Sequence, residues 1–217
     1  MSIFICHNLI MESQRSREIT ITIILEFLKT YPHELNWRRK PKPDPNILGG
    51  QKKIIEYIDD YCNRIIRPTI PSTVPDPLVS VILEKFYGSE LTEHDIVTEH
   101  QYCMGAENII GSLLEAYIAK EAIEAGWVQC VGSIIRKVDF IKKDGTAWRL
   151  LQVKNRDNSE NSSSQAIRNG TNIEKWFRSF SKTGKTNWDN FPDPLVKLTE
   201  QGFHTFVADY MVNLKSA

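Results

Sequence analysis

The sequence predicts an α/β fold, with a mostly helical N-terminal part (residues 1–104) ahead of a core (105–217) that mixes helix and strand. Three observations predict it. Apolar residues recur at helical spacing in residues 13–30 and 51–66. Asp144-Gly145 separates two strand-like runs, a strong hairpin signal. A long helical stretch over 107–125 leads directly into the first of those runs, with Gly126 placed as a left-handed cap.

Each element follows from its residues. Ile21, Ile24, Leu25 and Leu28 carry the first helix. Residues 32–50 form a polar connection with Pro41, Pro43, Pro45 and the basic triplet Arg38, Arg39, Lys40. Ile54, Ile55, Ile58 and Tyr61 carry the second helix. A proline-rich loop over 68–77 precedes a short helix over 78–87. In the long helix Ile110, Leu113, Leu114, Tyr117 and Ile118 share one side. Residues 127–141 read as one or two strands and 146–154 as the returning strand, through Trp148, Leu150, Leu151 and Val153. Residues 155–164 are strongly polar. Residues 165–180 are expected to be helical, with Asn169-Gly170 as an interruption and Thr171 as a cap. Phe203, Thr205, Phe206, Val207 and Tyr210 suggest a closing strand over 203–212. The expected order is helix, hairpin, polar loop, helix, strand, with no internal repeat.

Composition narrows the class. The chain has 217 residues, 41% hydrophobic and 25% charged, which fits one sizeable soluble core with appendages. No run reaches the roughly 18–20 apolar residues that cross a bilayer. Residues 1–11 lack the basic flank and cleavage site of a signal peptide. Cys6, Cys62, Cys103 and Cys130 form no C-x-x-C pair, so they read as free thiols in a reducing cytoplasm and not as a zinc ribbon. His94 and His100 are six apart and share no helical face. Net charge is zero, but Arg136–Lys185 holds twelve basic and five acidic residues, a local +7 against −7 elsewhere. That asymmetry points to a localised polyanion-binding face, with a lysine-rich solvated surface as the competing reading.

Phosphodiester hydrolysis needs a divalent cation, a positioned water and neutralisation of charge on the scissile phosphate. Hard Mg²⁺ takes oxygen ligands, one or two of them carboxylates. The predicted hairpin supplies Asp139 late on its first strand, with Gln152 and Lys154 on its second. Period-two alternation puts Gln152 and Lys154 on one face and Val153 on the other. Glu115 lies on the preceding helix among Leu113, Leu114 and Ala116, where a carboxylate is costly unless it meets a cation. Competing readings are an amphipathic-helix surface for Glu115, a turn-proximal surface for Asp139 and a solvated strand end for Lys154.

Together, Glu115, Val138-Asp139 and Gln152-Val153-Lys154 resemble the PD-(D/E)XK nuclease superfamily over roughly residues 105–212. The resemblance implies a restriction-endonuclease-like core, a central mixed β-sheet flanked by helices. It also implies a Mg²⁺ cofactor, with Asp139 as the central metal-binding aspartate, Lys154 as the motif lysine and Glu115 as the helical glutamate. Val138 stands where the motif has proline, and Gln152 where it has an acid. Gln152 can lend an amide oxygen to the metal but no charge. Gln152-Val153-Lys154-Asn155-Arg156 and the Ser/Asn-rich stretch after it are similar to Type II restriction endonucleases, within them the SinI-like group that is similar to enzymes cutting GGWCC sites.

DNA-reading groups are concentrated after the motif. Arg156, Asn158, Ser159, Asn161 and Ser163 form a first set, and Arg168, Asn169, Asn172, Lys175 and Arg178 a second. On the expected helix Asn172, Lys175 and Arg178 would share a face and grip phosphates. A solvated linker is the competing reading of the loop, and Trp176 and Phe177 read as core. The implied function is Type II cleavage of double-stranded DNA at a short, palindromic GC-rich site. A homodimer would act on the two strands, with the N-terminal part as its interface and a cognate DNA methyltransferase as genetic partner. The alternatives are a repair or junction-resolving nuclease of the same fold, and a non-catalytic DNA-binding protein.

Overall fold

The computed structural model describes residues 14–158 and 172–216. Its elements run α1 (Gln14–Thr30), α2 (Leu48–Cys62), α3 (Leu78–Tyr87), α4 (Glu93–Ala122), β1 (Trp127–Gln129), β2 (Phe140–Asp144), β3 (Ala147–Arg156), β4 (Ile173–Ser179) and α5 (Glu200–Ser216). The strands form one mixed sheet in the order β1-β2-β3-β4, with helices packed against it, the restriction-endonuclease-like α/β architecture. Among the described residues no helix is long and apolar enough to cross a membrane.

The hairpin forms where Asp144-Gly145 predicted it. Asp144 pairs with Ala147, and Gly145 takes the positive φ of +59° that the turn requires. The run 127–141 resolves into β1 and the start of β2, separated by a tight turn at Gly132 (φ +61°). A Cβ on Gly132 would lie 2.4 Å from the Tyr57 hydroxyl, which donates to the Gly132 carbonyl at 2.9 Å.

The two sheet faces follow from register. Val128, Ile141, Trp148, Leu150 and Ile173 alternate onto one face and pack in one cluster with Ile24, Leu28, Ile54 and Ile58 of α1 and α2. Trp127, Phe140, Leu151, Val153 and Trp176 alternate onto the other and are all buried. Rings link that second face to the helices beyond it. Trp176 meets Trp188 with centroids 5.2 Å apart, and Tyr117 of α4 meets Phe203 of α5 at 5.6 Å. A buried ion pair braces the same layer. Asp193 accepts from Lys142 at 2.6 Å and from the Trp127 indole at 2.9 Å. Burial pushes the Asp193 carboxyl up, but Lys142, the Leu195 N–H and Trp127 outweigh it and hold its pKa below the usual value.

Two expected elements are corrected. Residues 173–179 form a strand, β4, and not part of a helix, because pairing with β3 settles the ambiguity of a short apolar run: Trp176 stands beside Val153 in a parallel ladder. Residues 203–212 lie in helix α5 and not in a strand. Phe203, Phe206 and Tyr210 are its buried side chains, at the i, i+3, i+7 spacing of a helix. The long helix also starts earlier than expected, at Glu93. Thr92 and Asp95 cap it reciprocally: the Asp95 N–H donates to Thr92 Oγ1 at 3.2 Å and the Thr92 N–H donates to Asp95 Oδ2 at 3.1 Å.

The chain divides into two compact units, one of residues up to Ile65 together with Leu114 onwards, the other Ile66–Leu113. Residue 104, the expected boundary, falls inside α4. The helices α1 and α2 belong to the same unit as the sheet.

Candidate active site

Asp139 stands one residue before β2 and continues its ladder. Its N–H donates to the Leu151 carbonyl at 2.9 Å, and its own carbonyl accepts from the Cys130 N–H at 2.8 Å. The backbone reaches it through Lys137 at φ +65°, a left-handed conformation costing a non-glycine residue on the order of 1 kcal/mol. That turn delivers Val138 into the core, 3% exposed, and Asp139 to the strand end. The Asp139 carboxylate is then fixed from β3, where the Val153 N–H donates to its Oδ2 at 2.8 Å. The residues on either side of that N–H are Gln152 and Lys154, and alternation sends both to the face opposite Val153.

Glu115 projects from α4 between the buried Leu114 and Ala116. Its Oε2 accepts from the Gln129 side-chain amide at 3.1 Å. Gln129 ends β1 in register with Phe140, the neighbour of Asp139. The electrostatics place Glu115, Asp139 and Lys154 together. Burial, then the charge of Asp139, push the Glu115 carboxyl up from its ordinary 4.5 to about 7, while Gln129 and the Lys154 ammonium pull it back. Burial also raises Asp139, opposed by the Val153 N–H and again by Lys154. Cys130 behind them is raised well above the ordinary thiol value by burial and by both carboxylates, so it stays neutral. Tyr61 of α2 is raised by burial and by Glu115, which puts α2 beside the same group.

The parallel pairing of β3 and β4 adds neighbours that the sequence did not suggest. Gln152 stands beside Lys175 and Lys154 beside Phe177, so a second ammonium-bearing residue shares the face of the motif. The expected helical face of Asn172, Lys175 and Arg178 does not exist. Lys175 and Arg178 are three apart on a strand and point to opposite faces. The Arg178 guanidinium is engaged with Asn155 at 2.9 Å and Glu200, and lies 5.3 Å over the Phe203 ring. Arg156, Asn158 and Asn172 are exposed. Ser159, Asn161, Ser163, Arg168 and Asn169 lie outside the described residues, and the triplet Arg38, Arg39, Lys40 is exposed in the α1–α2 connection.

The donor set suits a hard divalent cation. Two half-buried carboxylates face one ammonium: burial raises both, and the charge of Asp139 raises Glu115 further, so the site carries more negative charge than Lys154 alone neutralises. Among the described residues no third His, Cys, Asp or Glu joins them. Two carboxylates and an amide oxygen suffice for an ion that keeps several waters.

The chain matches the SinI restriction endonuclease family over residues 4–213. It belongs to that family. The Type II restriction enzyme Eco47I of Escherichia coli is 42% identical over 199 residues, 88% of this chain and 86% of its own length. The Type II restriction enzyme SinI of Salmonella infantis is 40% identical over 201 residues, 89% of this chain and 86% of its own. Membership in the SinI family makes the chain a Type II site-specific deoxyribonuclease. Sequence reasoning missed Gln129, whose position beside Glu115 depends on β1 pairing with β2. It also missed the approach of Lys175, which depends on β4 being a parallel strand.

Proposed function

We propose that this member of the SinI family hydrolyses double-stranded DNA at a short, palindromic GC-rich site in the presence of Mg²⁺, as a homodimer in the cytoplasm alongside a cognate methyltransferase. The observation that supports this reading is the electrostatic contact of two half-buried carboxylates, Glu115 and Asp139, with the Lys154 amine. Asp139, Glu115 and the Gln152 amide oxygen would hold the ion, which when bound supplies Lewis acidity and a more acidic water. Lys154 offers its ammonium to the phosphate oxygen on which charge accumulates. The Val153 N–H and the Gln129 amide keep the two carboxylates oriented without occupying all their lone pairs. Arg156, Asn158 and Asn172 lie at the exposed ends of β3 and β4 and are the described candidates for base and phosphate contacts. The segment with Ser159, Asn161, Ser163, Arg168 and Asn169 would supply the remaining ones, and Lys175 remains a candidate through β4, whereas Arg178 is engaged with Asn155 and Glu200 on the other face.

The test is digestion of unmethylated plasmid with Mg²⁺, followed by sequencing of the ends. Discrete bands with one repeated terminal sequence support the proposal. Lys154→Ala should lower the cleavage rate at least ~10²-fold while gel-shift affinity in Ca²⁺ changes little. Equal loss of binding and cutting would assign Lys154 to DNA affinity instead.

A further inference from the structure

The unit Ile66–Leu113 is poor in core. Of its described residues only Ile96 and Leu113 bury apolar side chains. Helix α3 reads Leu-Val-Ser-Val-Ile-Leu-Glu-Lys-Phe-Tyr and buries none of its residues. Leu78, Val81, Ile82, Phe86 and Tyr87 are 48–79% exposed, and Leu91 just beyond is 56% exposed. Leu78, Ile82 and Phe86 follow one another at i, i+4, i+8, so they form a continuous stripe.

We propose that this α3 face is the interface between two copies of the chain. The proposal rests on the reading above that two copies act on one palindrome, and it names the surface that joins them. Three observations favour a second copy as occupant. The stripe of Leu78, Ile82 and Phe86 alone leaves on the order of 400 Å² of apolar surface in water, about half of the roughly 800 Å² per partner of a standard stable interface. The unit carries seven acidic and two basic residues, so a DNA phosphate backbone is repelled from it. The stripe is also self-complementary. With a two-fold axis at Ile82, antiparallel helices set Leu78 against Phe86 of the second copy, while Glu84 lies on the far side of the helix, away from the seam.

The full-length chain tests this by sedimentation velocity at micromolar concentration, with no DNA and with a duplex carrying its site. Ile82 is 56% exposed, so Ile82→Glu and Ile82→Lys leave the fold intact. Wild type is expected at twice its 25.0 kDa mass. Each variant alone is expected as a monomer, because its own charge meets itself across the axis. An equimolar mixture of the two is expected to regain the dimer. Variants as dimeric as wild type would overturn the α3 interface and leave the two-copy reading standing. Monomeric variants that do not reassociate when mixed would overturn self-pairing at Ile82. Wild type that is monomeric both free and on DNA would overturn the two-copy reading and the interface together.

Discussion

Replacing Glu115 by glutamine isolates the electrostatic strain of the site. The side chains are nearly isosteric, and the glutamine oxygen can still accept from Gln129. In the wild-type fold the carboxyl is moved from an ordinary 4.5 to about 7 by burial and by Asp139. Keeping it ionised in metal-free protein at pH 8 therefore costs on the order of 3 kcal/mol. The direction follows from linkage: a folded-state value above the unfolded one gives stability that is fully present below 4.5 and is lost as pH rises through 7. Glu115→Gln carries no such loss. In EDTA at pH 8 its Tm should exceed that of wild type by roughly 5–10 °C, and at pH 5 the gap should shrink to about a third of that or less. Saturating Mg²⁺ should raise the wild-type Tm more than the variant's, and the variant should not cut. Differential scanning calorimetry at the two pH values decides the matter. A Tm difference independent of pH would mean that Glu115 is not held against Asp139 in a dry setting.

Gln129→Met removes the donor to Glu115 while keeping side-chain length, and should raise the Mg²⁺ concentration for half-maximal cutting by roughly tenfold. An unchanged Mg²⁺ titration of the cleavage rate would show that Gln129 does not orient the carboxylate. Asp193→Asn leaves Lys142 without its buried partner and should cost roughly 3–5 kcal/mol in urea unfolding at pH 7. The Asp193 carboxyl is held below its usual value, so this contribution is present above the unfolded pKa and is lost as pH falls through the folded one. The gap between variant and wild type should therefore close in acid, and a constant gap would count against the ion pair.

Much of this was legible in the chain because local chemistry agreed with the tertiary result. The apolar spacing of Ile24 and Leu28 and of Ile54 and Ile58, and the turn at Gly145, each describe a structure that needs no distant partner to be recognised. The four proposed motif residues stand out in the sequence for a different reason. A carboxylate amid Leu113, Leu114 and Ala116 is conspicuous, and period-two alternation pairs Gln152 with Lys154 without reference to the rest of the molecule. Lys175-Trp176-Phe177-Arg178 was not legible, because two adjacent aromatics between two cations satisfy either period. Only the ladder to Val153 makes it a strand. In α5 the β-favouring residues misled, although Phe203, Phe206 and Tyr210 carried the helical spacing. The start of α4 was announced by Thr92 and Asp95, a cap that the apolar pattern alone does not reveal.

The strand that carries Gln152 and Lys154 is clamped on both edges, antiparallel by β2 and parallel by β4. Slipping it by one residue would thrust Val153 outward and drive an amine into hydrocarbon, so its registration resists drift from either flank. The chain that departs at Arg156 and returns at Ile173 is thereby anchored at two fixed posts. Substitutions and length changes between those posts can accumulate without displacing the reactive groups. If the proposed roles hold, with β3 carrying the cutting groups and the stretch after it the DNA-reading ones, relatives with this arrangement would be free to diverge in the sequence they recognise while keeping the same cutting groups.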